Sequence, residues 1–462
     1  VKINRPTTGE LRKSQLPDAK PAASTAALTQ TRPAAAGWAA KGPSTRPAAP
    51  AALVAASKAP AAITAFDAPS FNATLDRTTN SRNTAGNKLT MLFDGAKSFP
   101  ERNKMIDGAK ESINLQTFIF ASDDTGWELA NRLAAKAREG VKVKVIYDGM
   151  GSNRADPKMF QMMQAAGVEV MPYAKPLDQP WNLNDRWHEK HLIVDGKASI
   201  EGGMNIANEY AFGGSGKMVF SRGKTATEPW RDADMKLEGP AVHDTQAAFL
   251  RNWESVGGKV GAEEKAKLFP PLSPSVDGSK VRVVQHRPDQ EGDANTTNLY
   301  RQAIDTATRS ITIENAYFLP PKELRDALVR AAHRGVDVKV MTNSRASNDT
   351  GVVSDAARYF YDDLIKAGVK VFEKQGATIH SKTATFDGAF SLVGSANLNG
   401  RSDGRDSEDV LAVRDTTVAT QLEARFASGV SQTKPVTGQD LKNEGFFTNL
   451  KQWALSTLAW TF

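Results

Sequence analysis

His188, Lys190 and Asp195 recur with unchanged spacing as His380, Lys382 and Asp387. The segments His188-Glu-Lys190-His-Leu-Ile-Val-Asp195 and His380-Ser-Lys382-Thr-Ala-Thr-Phe-Asp387 share the pattern H-x-K-x4-D at a separation of 192 residues. Near neutral pH an imidazole exchanges a proton and an ammonium holds an anion. Alternation along a strand puts each histidine and its lysine on one face, and Asp195-Gly196 and Asp387-Gly388 are two-residue hairpin turns. With simple hairpins, the returning strands bring Gly203 opposite His188 and Ser395 opposite His380. Gly202-Gly203-Met-Asn205 and Gly394-Ser395-Ala-Asn397 then lie beside the histidines. Each ends in an Asn (Asn205, Asn397) at an expected helix start, where backbone N–H groups favour anions. A histidine, an ammonium and helix-start donors on one spot make a phosphate pocket.

Packing alone would put apolar residues at these positions, because buried charge is expensive. The chain has six histidines, and two of them fall at equivalent points of repeated units. His191, His243, His286 and His333 have no repeat partner and are expected at the surface or as satisfied core residues. His188-Glu-Lys-His191 has a spacing of three on a strand pattern, unlike the H-E-x-x-H helix of zinc hydrolases, so no metal and no cofactor is implied.

The elements around the motifs recur too. Ser112-Ile-Asn-Leu-Gln-Thr-Phe-Ile-Phe matches Ser310-Ile-Thr-Ile-Glu-Asn-Ala-Tyr-Phe, and Arg138-Glu-Gly-Val-Lys-Val-Lys-Val matches His333-Arg-Gly-Val-Asp-Val-Lys-Val. Ala166-Gly-Val-Glu-Val and Ala367-Gly-Val-Lys-Val repeat the same device: a glycine ends a helix and a β-branched strand follows. Short strands alternating with helices predict α/β units around a buried sheet. The expected organisation is a disordered, basic Ala/Pro-rich leader at 1–86, one domain at 87–262, a linker at 263–277 that includes Pro270-Pro-Leu-Ser-Pro, a second domain at 278–430 and an amphipathic tail at 431–462.

The 462 residues are 40% hydrophobic and 24% charged, which suits a globular protein with more than one core. The absence of cysteine excludes disulfides, thiolate nucleophiles and cysteine-ligated metals. No run is long and apolar enough to span a membrane, and the first thirty residues lack the apolar stretch of a secretory signal. The net charge of +7 is accounted for by the first 86 residues, leaving the remainder neutral. A nucleic-acid reader carries its basic excess on the folded domain, so nucleic acid is disfavoured as a partner.

Both H-x-K-x4-D copies, Trp230-Arg-Asp232 and Gly394-Ser-Ala-Asn-Leu-Asn-Gly-Arg-Ser402 resemble the phospholipase D superfamily, in its cardiolipin synthase branch. The resemblance runs from about Lys88 to Phe426 and takes in Gly202-Gly-Met-Asn-Ile-Ala-Asn-Glu-Tyr210 and Thr342-Asn-Ser-Arg-Ala-Ser-Asn-Asp349. It implies two duplicated α/β sandwich domains related by a pseudo-two-fold axis, with one shared active site. It also implies that His188 attacks phosphorus and His380 protonates the leaving alcohol, and that water or a second alcohol then resolves the phosphohistidine. Lys190, Lys382, Asn205 and Asn397 would hold the phosphoryl oxygens. Asp232 and Glu408, at family positions downstream of each motif, would orient the imidazoles. Asp195 and Asp387 complete the catalytic motifs but sit at turns and are expected to lock the hairpins.

The implied activity is phosphatidyl transfer between phospholipids. A phospholipase D hydrolase, for example an exported effector, is the alternative, with a nuclease behind it. A phospholipid substrate implies peripheral membrane contact. The sequence Phe446-Phe447, Leu450, Trp453, Leu455, Leu458, Trp460, Phe462 fits either an interfacial helix or one packed on the domain.

Overall fold

The computed structural model describes residues 64–173, 185–212, 228–290, 293–444 and 446–456. The expected leader at 1–63 lies outside the described residues, and the rest of it is folded. A 3-10 turn at Ala65–Asp67 and a helix at Pro69–Thr78 bury Phe66, Phe71 and Leu75. Phe66 stacks on Phe390 with ring centroids 5.2 Å apart, and Arg414 grips the Asp67 carboxylate at 2.8 Å. Averaged composition hides this segment. Three apolar anchors suffice when a preformed surface receives them, and Pro69 starts the helix where its missing N–H costs nothing.

The strands are β1 (Thr84–Phe93), β2 (Ser112–Thr117), β3 (Lys142–Asp148), β4 (Glu169–Tyr173), β5 (Arg186–Trp187), β6 (His191–Val194), β7 (Ala198–Gly202) and β8 (Ala233–Glu238), followed by β9 (Ser279–His286), β10 (Ser310–Asn315), β11 (Asp337–Asn343), β12 (Lys370–Lys374), β13 (Lys382–Phe386), β14 (Phe390–Gly394), β15 (Asp406–Arg414) and β16 (Thr433–Val436). They join into one mixed sheet whose centre is the antiparallel pair β1 and β9, with Thr84 opposite Val281. Outward from β1 the order is β8, β7, β6, β2, β3, β4; outward from β9 it is β15, β14, β13, β10, β11, β12. The two runs repeat one element order in opposite directions, as the duplicated sequence requires. Met235, Leu237, Val393 and Leu411 pack together in the core between the halves.

Parallel strands need crossovers, and these are the helices Asp124–Arg138 and Pro157–Ala165 in the first half and Lys322–His333 and Tyr361–Lys366 in the second. Gly140, Gly167, Gly335 and Gly368 follow these helices with φ of 93°, 96°, 85° and 103°, the left-handed turn for which glycine was read there.

Three boundaries differ from expectation. The linker contains the helix Ala262–Leu268, whose Leu268 is buried in the shared core. The tail adds β16 to the edge of β12, and its helix Phe446–Ser456 packs on the helix Gly351–Arg358, with Lys451 paired to Asp355 at 2.6 Å. Of the tail's apolar residues, Leu455 packs on the second-half core, whereas Leu458, Trp460 and Phe462 lie outside the described residues. The hairpins also close one residue later than a two-residue turn would: Val194 pairs with Ala198 and Phe386 with Phe390. Asp195 and Gly196 both take positive φ, as do Asp387 and Gly388, and a third residue completes each loop.

Candidate active site

The β6 and β13 ladders begin after the motif histidines, and each histidine segment crosses to the opposite half instead. β5 pairs in parallel with β15, and the His188 N–H donates to the Ser407 carbonyl at 2.9 Å. Likewise Ile379 bridges Arg231, and the His380 N–H donates to the Arg231 carbonyl at 2.8 Å. The residue after each of these anchors is a carboxylate. Glu408 Oε2 and Oε1 lie 3.0 and 3.1 Å from His188 Nδ1, and Asp232 Oδ2 lies 2.8 Å from His380 Nδ1. Each half therefore supplies the carboxylate for the other half's imidazole. Acceptance by a carboxylate puts the ring proton on Nδ1 and leaves an Nε2 lone pair.

Both imidazoles line one cleft of about 590 Å³, with Phe118, Asn205, Tyr210, Trp230, Tyr317 and Asp349 on its walls. The Phe118 ring stands edge-on to His188 at 5.1 Å, and Tyr210 stands edge-on to His380 at 5.0 Å. Tyr210 Oη lies 3.4 Å from His380 Nε2 and accepts from Asn205 Nδ2 at 2.8 Å. Among the described residues His188 Nε2 has no such partner, so the two histidines each meet a carboxylate at Nδ1 and differ at Nε2.

Gly203 and Ser395 are exchanged relative to the expected pairing. A Cβ on Gly203 would lie 2.2 Å from Asp232 Oδ1, so Gly203 makes room for the carboxylate of His380, not for His188. Ser395 Oγ donates to Glu408 Oε2 at 2.5 Å, and Ser402 Oγ donates to Oε1 at 2.5 Å, so Ser395 serves His188. The swap follows from the crossing of the histidine segments, which a simple hairpin does not anticipate. It also pairs a shorter carboxylate with a glycine and a longer one with a hydroxyl donor.

The lysine ammonium groups fold back onto their own motifs. Lys190 Nζ bonds the His188 carbonyl, and Lys382 Nζ bonds the His380 carbonyl while lying 3.0 and 3.2 Å from the two ring nitrogens of His380. Asn205 Oδ1 accepts from the Ile119 N–H at 3.0 Å, whereas the buried Asn397 Oδ1 has no hydrogen-bond partner among the described residues. Neither Asn starts a helix: the helices begin at Asn208 and Gly400, behind the caps Ala207 and Asn399. Asp195 accepts the N–H groups of Lys110, Glu111 and Ser112, and Asp387 accepts those of Thr308, Arg309 and Ser310. Both turn aspartates thus tie their hairpin to the strand entering beside it, away from the cleft wall.

Electrostatics couples the six central groups. Burial, then the charges of Lys190 and Lys382, hold His188 well below the usual imidazole range; burial, Lys382, Lys190 and His188 do the same to His380. Burial pushes Glu408 up to about 7 and Asp232 up to about 6, against the nearby lysines. It brings Lys190 down to about 8 and Lys382 down to about 7, against the carboxylates. The cleft thus holds neutral imidazoles and easily titrated counter-charges, a setting that an entering anion would convert to protonated lysines and imidazolium.

On the opposite side of the same segment lies a second buried polar group. His191 is 1% exposed; its Nε2 lies 2.8 Å from Glu189 Oε2, and its Nδ1 is in direct contact with Glu201. His191, Glu201 and Asp409 are close enough for their ligand atoms to share an ion. The imidazole is, however, already clamped between two glutamates. Against the cost of burial, Glu201 and Asp409 hold His191 well above its usual range, and burial drives Asp409 up as well. This fits an imidazolium set between carboxylates beside a protonated acid. Asn252 and Gln285 donate to Glu189 at 2.6 and 3.1 Å.

The wall residues Phe118, Tyr317 and Asp349 were not singled out by sequence. Tyr210, Trp230 and Asp349 sat inside the segments that carry the family resemblance, but no periodicity tells a wall residue from a core one.

Both halves of the chain match known proteins. The model of the family described as cardiolipin synthase, PLD-like domain, matches residues 103–214 and 300–429, one match in each half. The chain is 31% identical to the major cardiolipin synthase ClsA of Bacillus subtilis over 371 residues, covering 80% of this chain and 74% of that one. It is 30% identical to a cardiolipin synthase of Halalkalibacterium halodurans over 360 residues, covering 77% and 69%. The crystal structure of phosphatidylserine synthase from Haemophilus influenzae shares the fold, with a TM-score of 0.64 at 15% identity over 85% of this chain and all of that one. With both halves matched and relatives of this identity spanning most of its length, the chain belongs to the cardiolipin synthase, phospholipase D-like domain family.

Proposed function

We propose that the protein is a phosphatidyltransferase that cleaves a phospholipid phosphodiester through a phosphohistidine and passes the phosphatidyl group to a second alcohol, giving a cardiolipin-type product. The observation that carries this reading is the pair of imidazoles on one cleft, each fixed at Nδ1 by a carboxylate of the opposite half. His188 Nε2, unhindered by a hydrogen bond, attacks phosphorus. His380, whose Nε2 already faces Tyr210, gives its proton to the leaving alkoxide. The charge of the bound phosphodiester raises the pKa of His380, so the proton arrives with the substrate. Lys190 and Lys382 then turn from the backbone carbonyls to the phosphoryl oxygens as charge builds on them. In the second step the neutral His380 accepts the proton of the incoming alcohol.

The enzyme meets its lipid at the membrane surface. Among the described residues no helix is long and apolar enough to cross a membrane. Phe212, 51% exposed and two residues from Tyr210 of the cleft wall, supports peripheral lipid contact. Incubation of purified protein with phosphatidylglycerol, with and without phosphatidylethanolamine, followed by mass spectrometry, tests the reaction. A product of cardiolipin mass is expected. Phosphatidic acid alone would assign hydrolysis instead, and degradation of DNA or RNA in place of lipid would assign a nuclease.

A further inference from the structure

Asp349 is a carboxylate on the wall of a cleft built for an anion, and phosphoryl transfer as derived above does not use it. His188 and His380 take their carboxylates from Glu408 and Asp232. A negative charge near the phosphate opposes donor binding, so its presence calls for a group in the complex that it binds.

Asp349 is held rigidly. Tyr317 Oη donates to its Oδ1 at 2.5 Å, and the Thr350 N–H donates to the same oxygen at 3.0 Å. The neighbouring Asn348 accepts the Thr350 N–H at 2.8 Å and donates to Ser354 Oγ at 2.8 Å, which fixes the loop. Among the described residues every hydrogen bond of the Asp349 carboxylate falls on Oδ1, so Oδ2 keeps its full acceptor capacity. Burial raises the pKa of the group, against the hydrogen bonds from Tyr317 and Thr350. Glu209, the other carboxylate on the wall, has no side chain holding it among the described residues.

We infer that Asp349, positioned by Tyr317, selects the acceptor by accepting a hydrogen bond from the hydroxyl adjacent to the attacking one, so that the cleft favours vicinal diols over monohydric alcohols. The inference rests on the transferase reading and names its acceptor class. In the step concerned, the acceptor oxygen bonds to phosphorus as the P–Nε2 bond to His188 breaks, and its proton passes to His380 Nε2. The second hydroxyl takes no part in bond making; it donates to Asp349 Oδ2 and sets the angle of the first. Water and monohydric alcohols have no second donor to offer. A site that pairs a substrate hydroxyl rejects analogues lacking it more strongly than an apolar pocket can.

A competition assay reads this directly. Phosphatidylglycerol vesicles are given to the full chain with equal concentrations of 1,2-propanediol and 1-propanol, and the two phosphatidyl alcohols are quantified by mass spectrometry. The wild-type ratio should favour the diol about tenfold or more, the scale of one hydrogen bond to a charged acceptor. Asp349→Asn should bring the ratio close to one, and Tyr317→Phe should reduce it part of the way. A variant that is merely misfolded lowers both products and leaves the ratio alone. An unchanged ratio in Asp349→Asn overturns the inference, as does loss of the preference in Glu209→Gln but not in Asp349→Asn. With ethanolamine as a third competitor, a preference for the amine over the diol that Asp349→Asn abolishes would overturn the hydroxyl assignment. If wild type yields phosphatidic acid alone with every alcohol, the transferase reading itself fails. Transfer without diol preference sinks only the inference.

Discussion

Glu408 of the second half and His188 of the first are joined at 3.0 Å, and Asp232 and His380 repeat the relationship in the opposite sense. Neither half supplies the carboxylate for its own motif histidine. Glu408→Gln keeps one of the two oxygens that accept from Ser395 and Ser402 and removes the charge that stabilises imidazolium and fixes its tautomer. A fall in kcat on the order of 10⁴ is expected, with Asp232→Asn alike, since orienting carboxylates act at this scale. Steady-state kinetics on phosphatidylglycerol checks it; a loss of less than tenfold would mean that the carboxylates do not position the rings.

Gly203→Ser should harm the enzyme, because its Cβ would fall 2.2 Å from Asp232 Oδ1. The carboxylate must retreat and release His380, so kcat should drop more than tenfold. Ser395→Gly removes one of two hydroxyl donors to Glu408 and should cost less. Equal kinetic losses in the two variants would argue against the crossed assignment.

Asp387→Ala deletes the acceptor of three backbone N–H groups and leaves alanine at φ 54°. A stability loss of about 3 kcal/mol is expected, from unpaired donors and left-handed strain together. Asp387→Asn, which tolerates that conformation and keeps an acceptor, should lose less. Urea unfolding measures both.

The buried His191 group makes a separate stability prediction. His191→Ala leaves Glu189, Glu201 and Asp409 facing one another without the cation between them, and breaking such a group costs about 3–5 kcal/mol. Denaturation midpoints below those of His243→Ala, a partly exposed histidine, would bear this out.

The pH profile follows from the shifted groups. Activity needs Glu408 and Asp232 ionised, and burial has pushed these up to about 7 and about 6, so kcat/KM should rise with pH through that range. It also needs Lys382 and Lys190 protonated, and burial has brought these down to about 7 and about 8, so the rate should fall above it. A bell centred near neutrality is expected in the free enzyme. In Glu408→Gln the residual activity should keep its acid limb only at the lower position set by Asp232.

The duplicated motifs, the glycine stops after the crossover helices and the α/β class could all be read from the residues, because each is written in local periodicity or in a repeat. The exchange of Gly203 and Ser395 between histidines could not be. It depends on segments leaving their own hairpins at Glu189 and Ser381 to bond with Ser407 and Arg231, contacts far apart in sequence. The folded stretch around Phe66 and Phe71 was hidden by the Ala/Pro-rich composition before it, and Asp349 was one polar residue among several in its segment until the fold set it on the cleft that His188 and His380 line.

Rapid quenching during turnover of phosphatidylglycerol, with peptide mapping by mass spectrometry, tests whether the two imidazoles serve one phosphorus atom. One phosphatidyl adduct per chain, on the peptide holding His188, with no turnover in His188→Asn or His380→Asn, is the predicted result. Two adducts per chain, one on each histidine, or turnover surviving in His188→Asn, would contradict it.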